Sequence, residues 1–346
     1  MKTEHKIIFG DAREMNELKK ESVDLMITSP PYPMIQMWDE IFGKQNPEIT
    51  KSLKEENGEK AFELMHKELD KVWKEVYRVL KVGGIACINI GDATRSIKNR
   101  FQIYTNHARI LNYCISLGFH ALPEILWIKE TNKPDKFMGS GMLPVGAYVT
   151  LEHEHILILR KGDKREFKKI EQKENRQRSA FFWEERNFWF SDKWRDINGV
   201  FQKLNHSKLR ERSGAYPIEL VYRLINMFSV QGDIVLDPFL GTGTTTLGAM
   251  ASGRSSIGYE IDNNFKEFIE DRIKDMKNIV EEYVKDRLEK HKNFVKKRKE
   301  ENGELKYTNK NYNFPVMTRQ EISIYIPKIR EINKIEDNIF EVEHLF

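Results

Sequence analysis

Apolar positions along this chain fall into two rhythms, and their alternation is the first indication of the fold. Short apolar runs read as buried strands: Val23 to Ile27, Ile85 to Ile90, Glu124 to Ile128, His153 to Leu159, Ile234 to Leu236 and Ser256 to Glu260. Between them lie segments with a helical period. From Ala61 to Leu80, apolar residues such as Met65, Leu69, Val72, Val76 and Val79 share one face, predicting an amphipathic helix that Gly83-Gly84 stops. Phe101 to Leu117 predicts another helix, and a segment opened by Ser213 predicts a third, ending at Phe228. Beyond Asn263, Phe265, Ile269, Ile273, Met276, Val280, Val284 and Leu288 recur at helical spacing, predicting a long helix with a charged outer face. Gln45 to Glu59 is polar and reads as a surface excursion. Strands alternating with helices predict an α/β fold, a mostly parallel sheet covered on both faces.

Two of the predicted strands end in unusual loops. The run Val23 to Ile27 is followed by Thr28-Ser29-Pro30-Pro31-Tyr32. Loops at the carboxyl ends of strands form the ligand crevice of open α/β sheets. Two prolines fix the backbone and leave carbonyls that only accept hydrogen bonds. With the Ser29 hydroxyl and the flat Tyr32 ring, the loop suits a planar group bearing an exocyclic amine, such as a nucleobase. The second loop is Asp237-Pro238-Phe239-Leu240-Gly241-Thr242-Gly243-Thr244-Thr245, between a strand and a predicted helix. Gly241 and Gly243 allow close approach of a ligand, and Glu260, at the end of the next strand, is placed to hold ribose hydroxyls. Asp237 opposes a pyrophosphate but attracts an α-ammonium group, which favours S-adenosylmethionine over a dinucleotide. No lysine stands where a phosphate-binding loop requires one.

Together these motifs resemble the DNA amino-methyltransferases, whose catalytic motif is Asp/Asn/Ser-Pro-Pro-Tyr/Phe and whose cofactor motif is Asp-Pro-Phe-x-Gly-x-Gly-Thr-Thr. The catalytic motif comes first here, as in the permuted β group, and the resemblance runs from about Lys6 to Phe268. It implies a Rossmann-like methyltransferase fold with a mixed, mostly parallel sheet and a target-recognition insertion. Its implied parts are a catalytic half (1–160), a recognition region (161–212), a cofactor half (213–268) and a charged helical extension (269–346). The implied catalytic residues are Ser29, Pro30, Pro31 and Tyr32. The implied cofactor residues are Asp11, Asp237, Phe239, Gly241, Gly243, Thr244, Thr245 and Glu260. Asp11 is assigned to the adenine amine, although it reads equally well as the cap of a helix through Leu18. In this family a leading Ser goes mostly with N4 of cytosine and Asp with N6 of adenine. The longer stretch through Trp38-Asp39 looks like enzymes that modify CTAG in restriction-modification systems. RNA or protein-glutamine methyltransferases usually carry Asn in place of Ser29.

Composition adds limits. The 57 Lys and Arg residues against 53 Asp and Glu give a net charge of only +4, so any basic footprint for double-stranded DNA is local. Lys161 to Arg178 and the loop from Thr131 to Val149 are the candidates, while most aromatics between Phe181 and Phe190 read as a small core. Cys87 and Cys114 sit in apolar patterns as reduced core residues, which predicts a cytoplasmic protein and offers no nucleophile for carbon-5 methylation. No run is long enough to span a membrane, and the first residues lack a signal-peptide pattern. His153 and His155 share a strand face without an evident third ligand, so no metal centre is expected. The cognate endonuclease is expected to be a separate chain, and from Glu301 onward no motif is visible.

Overall fold

The computed structural model describes residues 1–129, 138–198 and 216–345. Ten strands form one sheet: β1 (Lys2–Phe9), β2 (Val23–Thr28), β3 (Leu80–Ile90), β4 (Phe119–Ile128), β5 (His153–Lys161), β6 (Lys193–Trp194), β7 (Ile234–Asp237), β8 (Ser255–Glu260), β9 (Lys328–Glu336) and β10 (Ile339–Leu345). Their spatial order is β6-β4-β5-β3-β2-β7-β8-β1-β10-β9. Strands β5 and β10 run against their neighbours, and the other eight share one direction. This is the mixed, mostly parallel sheet that the sequence predicts.

Strand β2 is buried at every position, as a central strand covered on both faces must be. Its side chains alternate between two cores. Met26 joins Met65, Leu69, Val72, Trp73 and Val76 of the helix Gly58–Val79. Leu25 and Ile27 join Leu220, Val221, Leu224 and Ile225 of the helix Ile218–Phe228. Each such fully buried aliphatic side chain contributes about 2 kcal/mol of transfer free energy. Because β7 lies beside β2, the two motif loops leave the same edge of the sheet on neighbouring strands.

Several segments differ from the sequence prediction. Gly83-Gly84 does not stop the helix Gly58–Val79, whose chain turns directly into β3 at Leu80. Gly83 lies within β3 with φ +83°, where an added Cβ would lie 2.6 Å from the Arg165 backbone nitrogen. The helix predicted from Phe101 is only Asn106–Ser116, because Arg100–Tyr104 pairs with Ala93–Ile97 as a hairpin. No helix follows Asp11, where the chain makes turns instead. The excursion after Gln45 contains the helix Pro47–Lys54, and the non-periodic basic run contains the helix Ile170–Arg178. The extension is α-helical only as far as Asn302, followed by one short 3-10 turn at Arg319–Glu321. Beyond it, β10 pairs antiparallel with β1 and β9 forms the sheet edge. Lys328, Arg330, Glu331, Lys334 and Glu336 give that edge a charged character that discourages pairing with another chain. Among the described residues no helix is long and apolar enough to cross a membrane.

Of the aromatics read as a small core, Phe182 and Trp189 are buried against the long helix Met276–Asn302, whereas Trp183 and Phe188 are exposed. Arg287 of that helix pairs with Glu185, and the His291 ring stacks on Phe182 at 3.9 Å. The basic run starts at the sheet edge opposite the motif loops. Lys161 donates to the Leu80 carbonyl at 2.8 Å and Arg165 pairs with Asp233 at 2.6 Å. These two cations hold that edge together and do not line the cavity described next.

Candidate active site

Where the parallel strands end, their following loops enclose a cavity of about 830 Å³. Its wall takes Gly10 and Asp11 after β1, Ser29 to Tyr32 after β2, and Trp127 and Lys129 at the end of β4. Glu154 comes from the start of antiparallel β5, Pro238 to Thr242 follow β7, and Glu260 closes β8. Sheet direction alone therefore gathers side chains more than two hundred residues apart into one crevice.

All four residues assigned to catalysis line the cavity, together with Asp11, Phe239, Gly241, Thr244 and Glu260 from the cofactor set. Asp237, Gly243 and Thr245 stand behind the wall. Asp237 is 1% exposed, and four donors saturate its carboxylate: Thr28 Oγ at 2.6 Å, Thr245 Oγ at 2.5 Å, Tyr216 Oη at 3.1 Å and the Phe239 amide at 3.0 Å. Burial raises its pKa despite these bonds. Its carboxylate thus ties the residue before Ser29 to the cofactor loop rather than facing an ammonium ion. Gly243, with φ +82°, starts the helix Thr244–Ser252, and an added Cβ would lie a tight 3.0 Å from the Ile269 side chain.

Glu260 shapes the neighbouring turn by accepting the amides of Gly241 at 2.7 Å and Asp262 at 2.8 Å. Burial pushes its pKa up to about 7, against the pull of those two amides. Asp11 is partly exposed and clamped by Arg13, whose Nη2 lies 2.6 Å from Oδ2, and Arg13 also reaches Glu68. Burial opposes the ionised form of Asp11, but the Arg13 contacts outweigh it and lower the pKa. Asp11 also accepts the Arg13 amide at 2.9 Å, an Asx turn in place of the expected helix cap.

Sequence reasoning missed the other half of the catalytic wall. Glu154 Oε2 accepts from Tyr32 Oη at 3.0 Å and from Asn89 Nδ2 at 2.7 Å, and its Oε1 pairs with Lys129 Nζ at 2.5 Å. Lys129 also lies 4.1 Å from the Trp127 ring centroid. Tyr216 and Trp38 line the cavity as well. Attention at His153 and His155 passed over the acid between them. His155, though not His153, does have company: Asp92, His107 and His155 bring potential ligand atoms within 4.8 Å of one another, correcting the expectation that no further ligand stands near. The His107 and His155 rings are stacked at 3.8 Å and nearly parallel, so their in-plane lone pairs do not converge on one ion. Both Asp92 oxygens engage His107 Nδ1.

A crevice joining an acceptor-rich Ser-Pro-Pro-Tyr loop to a glycine turn and a buried acid suits transfer to an amine on a flat ring. A DNA methylase family model matches residues 23–271, which include both loops. The chain belongs to the N6/N4 DNA methylase family. The methylase is 54% identical over 342 residues to the type II methyltransferase M.MthZI of Methanothermobacter thermautotrophicus, covering 99% of this chain and 95% of that one. It is 52% identical over 282 residues to M.MjaI, a type II methyltransferase of Methanocaldococcus jannaschii, covering 78% and 91%. Among solved structures it resembles TTHA0409 of Thermus thermophilus, assigned to the DNA modification methylases and crystallised with S-adenosyl-L-methionine. That match has a TM-score of 0.61 and 31% identity, covering 79% and 94% of the two chains. The methylase acts on double-stranded DNA with S-adenosylmethionine as cofactor. The cavity fits that group: it offers a carboxylate at the end of β8, a backbone turn without side chains at Gly241, and the Phe239 ring.

Proposed function

We propose that this methylase transfers a methyl group to the exocyclic N4 of cytosine within a short duplex sequence, CTAG, and that it is the modification partner of a separately encoded endonuclease. The observation that carries the reading is Ser29 at the head of the catalytic loop. A hydroxyl and the Pro30 carbonyl share the cavity wall there, in place of the Asp typical of adenine enzymes.

In this reading the target base leaves the duplex stack and lies against the Tyr32 ring. The Ser29 hydroxyl and Pro30 carbonyl accept its two amino hydrogens. Such an amine is a weak nucleophile because its lone pair is delocalised into the ring, and bonds that favour a pyramidal nitrogen restore that pair. Glu260 holds the cofactor's ribose, Asp11 its adenine amine, and the turn from Phe239 to Thr244 its methionine end. Bound S-adenosylmethionine supplies an electrophilic methyl group. The protein's contribution is chiefly to hold amine and methyl in line, worth several kcal/mol through proximity.

Short duplexes test the site. Methyl incorporation is expected with a CTAG duplex and is expected to fall at least tenfold when any one of the four pairs is changed, since a mismatched pair costs about 1–3 kcal/mol. Equal incorporation into all of the duplexes would overturn the CTAG assignment.

A further inference from the structure

We propose that Glu154 is a positioning residue for amine methylation, fixing the direction of the hydrogen-bond chain Glu154–Tyr32–Ser29 so that Ser29 offers a lone pair, and not its proton, to the target amino group. The inference rests on the reading of Ser29 as an acceptor for that amine.

Two hydroxyls in contact have a choice of which one donates. Ser29 Oγ and Tyr32 Oη lie 3.1 Å apart, and their geometry alone permits either direction. Glu154 removes the choice. Its Oε2 lies 3.0 Å from Tyr32 Oη, and a carboxylate oxygen only accepts, so the phenol proton goes to Glu154. Asn89 Nδ2, 3.0 Å from Tyr32 Oη, adds a second donor to that oxygen. The Ser29 proton then points at Tyr32; one Ser29 lone pair faces Asn89 Nδ2 at 3.4 Å, and the other remains for the cavity. Reversed, the Ser29 hydrogen would bind the amine lone pair and compete with the methyl carbon for it.

Both oxygens of Glu154 are already engaged, which makes its action indirect. Oε1 holds Lys129 at 2.5 Å, and Oε2 holds Tyr32 and Asn89. Lys129, seated over the Trp127 ring, fixes the rotamer of the carboxylate it holds. Burial and the Glu154 charge hold the Tyr32 hydroxyl well above the ordinary phenol range, so Tyr32 keeps the proton it donates.

Glu154→Gln preserves shape but puts an amide where the carboxylate stood, and its NH2 can donate to Tyr32 and reverse the chain. The test is a double-mutant cycle of single-turnover methyl transfer on duplex DNA, using Glu154→Gln, Ser29→Ala and the pair, with cofactor Kd and Tm measured alongside. Glu154→Gln is expected to slow transfer at least about tenfold, less than the roughly hundred- to thousandfold lost when a preorganised hydrogen-bond donor is itself removed, because Glu154 acts through Tyr32 and Ser29. Cofactor Kd is expected to stay within about twofold, and the double variant to be no slower than Ser29→Ala alone. Tyr32→Phe, which cuts the same chain without touching Glu154, is expected to behave likewise and serves if Glu154→Gln lowers Tm. Transfer by Glu154→Gln at nearly the wild-type rate, or losses that multiply in the double variant, would overturn the inference. A full-rate Ser29→Ala enzyme would remove the underlying reading as well, whereas a slow Ser29→Ala beside a full-rate Glu154→Gln removes the inference alone.

Discussion

With the cofactor's ribose on Glu260 as proposed, the buried acid at the end of β8 should make cofactor binding sensitive to pH near neutrality. Burial pushes Glu260 up to about 7, so about a tenth of the molecules carry the carboxylate at pH 6 and about nine tenths at pH 8. Ribose hydroxyls donate best to the ionised form, and the apparent Kd is the intrinsic value divided by the competent fraction. Affinity for S-adenosylmethionine should therefore rise about tenfold from pH 6 to pH 8, or about 1.4 kcal/mol. Binding at pH 7 should release about half a proton, readable by calorimetry in buffers of different ionisation enthalpy. The ligand's own α-amine titrates nearby, at about 8. A Glu260→Gln variant measured in parallel isolates the protein's contribution and should lose both the slope and its share of the proton release. The same shift has the opposite sign for the unliganded fold. The Glu260 contribution to stability is fully present below the unfolded value of 4.5 and is lost as pH rises through about 7, by about 3 kcal/mol in all. An affinity that is flat in pH, or a slope that survives in Glu260→Gln, would refute the reasoning.

Other consequences concern the two motif loops and the sheet edge. Ser29→Ala should slow methyl transfer about a hundredfold while leaving cofactor Kd within about twofold, as single-turnover rates and titration can show. Asp237→Ala leaves three buried hydroxyls without their shared acceptor, so denaturant titration should show a loss of about 3 kcal/mol or more, with cofactor affinity falling alongside it. A selective loss of affinity with full stability would instead place Asp237 on the ligand. Ending the chain at Asn302 strips β10 from β1, exposing unpaired backbone and the cores that Phe340 and Val342 complete. Size-exclusion chromatography of that truncation should show aggregates, and a stable monomer would contradict it.

The parts legible in the sequence were those with a strong local signal. Continuous burial of β2 and the helical stripe from Ala61 to Val79 appear as patterns, and each motif loop carries its own composition. The parts that were not legible depend on pairing partners. Lys129 holds Glu154 against Tyr32 only because antiparallel β5 starts at the edge where β4 ends, a relation no local window contains. Asp237 looked like a ligand group because its charge was visible and its four donors were not. The Arg100–Tyr104 strand was absorbed into the following helix, since a five-residue alternation fits inside an apolar window. The β9 strand was hidden by its own charge: only Ile329 is buried in it, and alternating Lys, Arg and Glu resemble a solvated tail. Gly83-Gly84 carried the usual signal for a helix stop, but the fold spends Gly83 on a close approach to Arg165 within β3.

The most direct test of the central claim is the identity of the product. Purified protein incubated with mixed-sequence duplex DNA and S-adenosylmethionine, followed by digestion to nucleosides and mass spectrometry, should yield N4-methylcytosine, and Ser29→Ala should abolish most of it. N6-methyladenine instead would contradict the assignment of the base to Ser29 while leaving the fold, the cofactor and the amine chemistry in place.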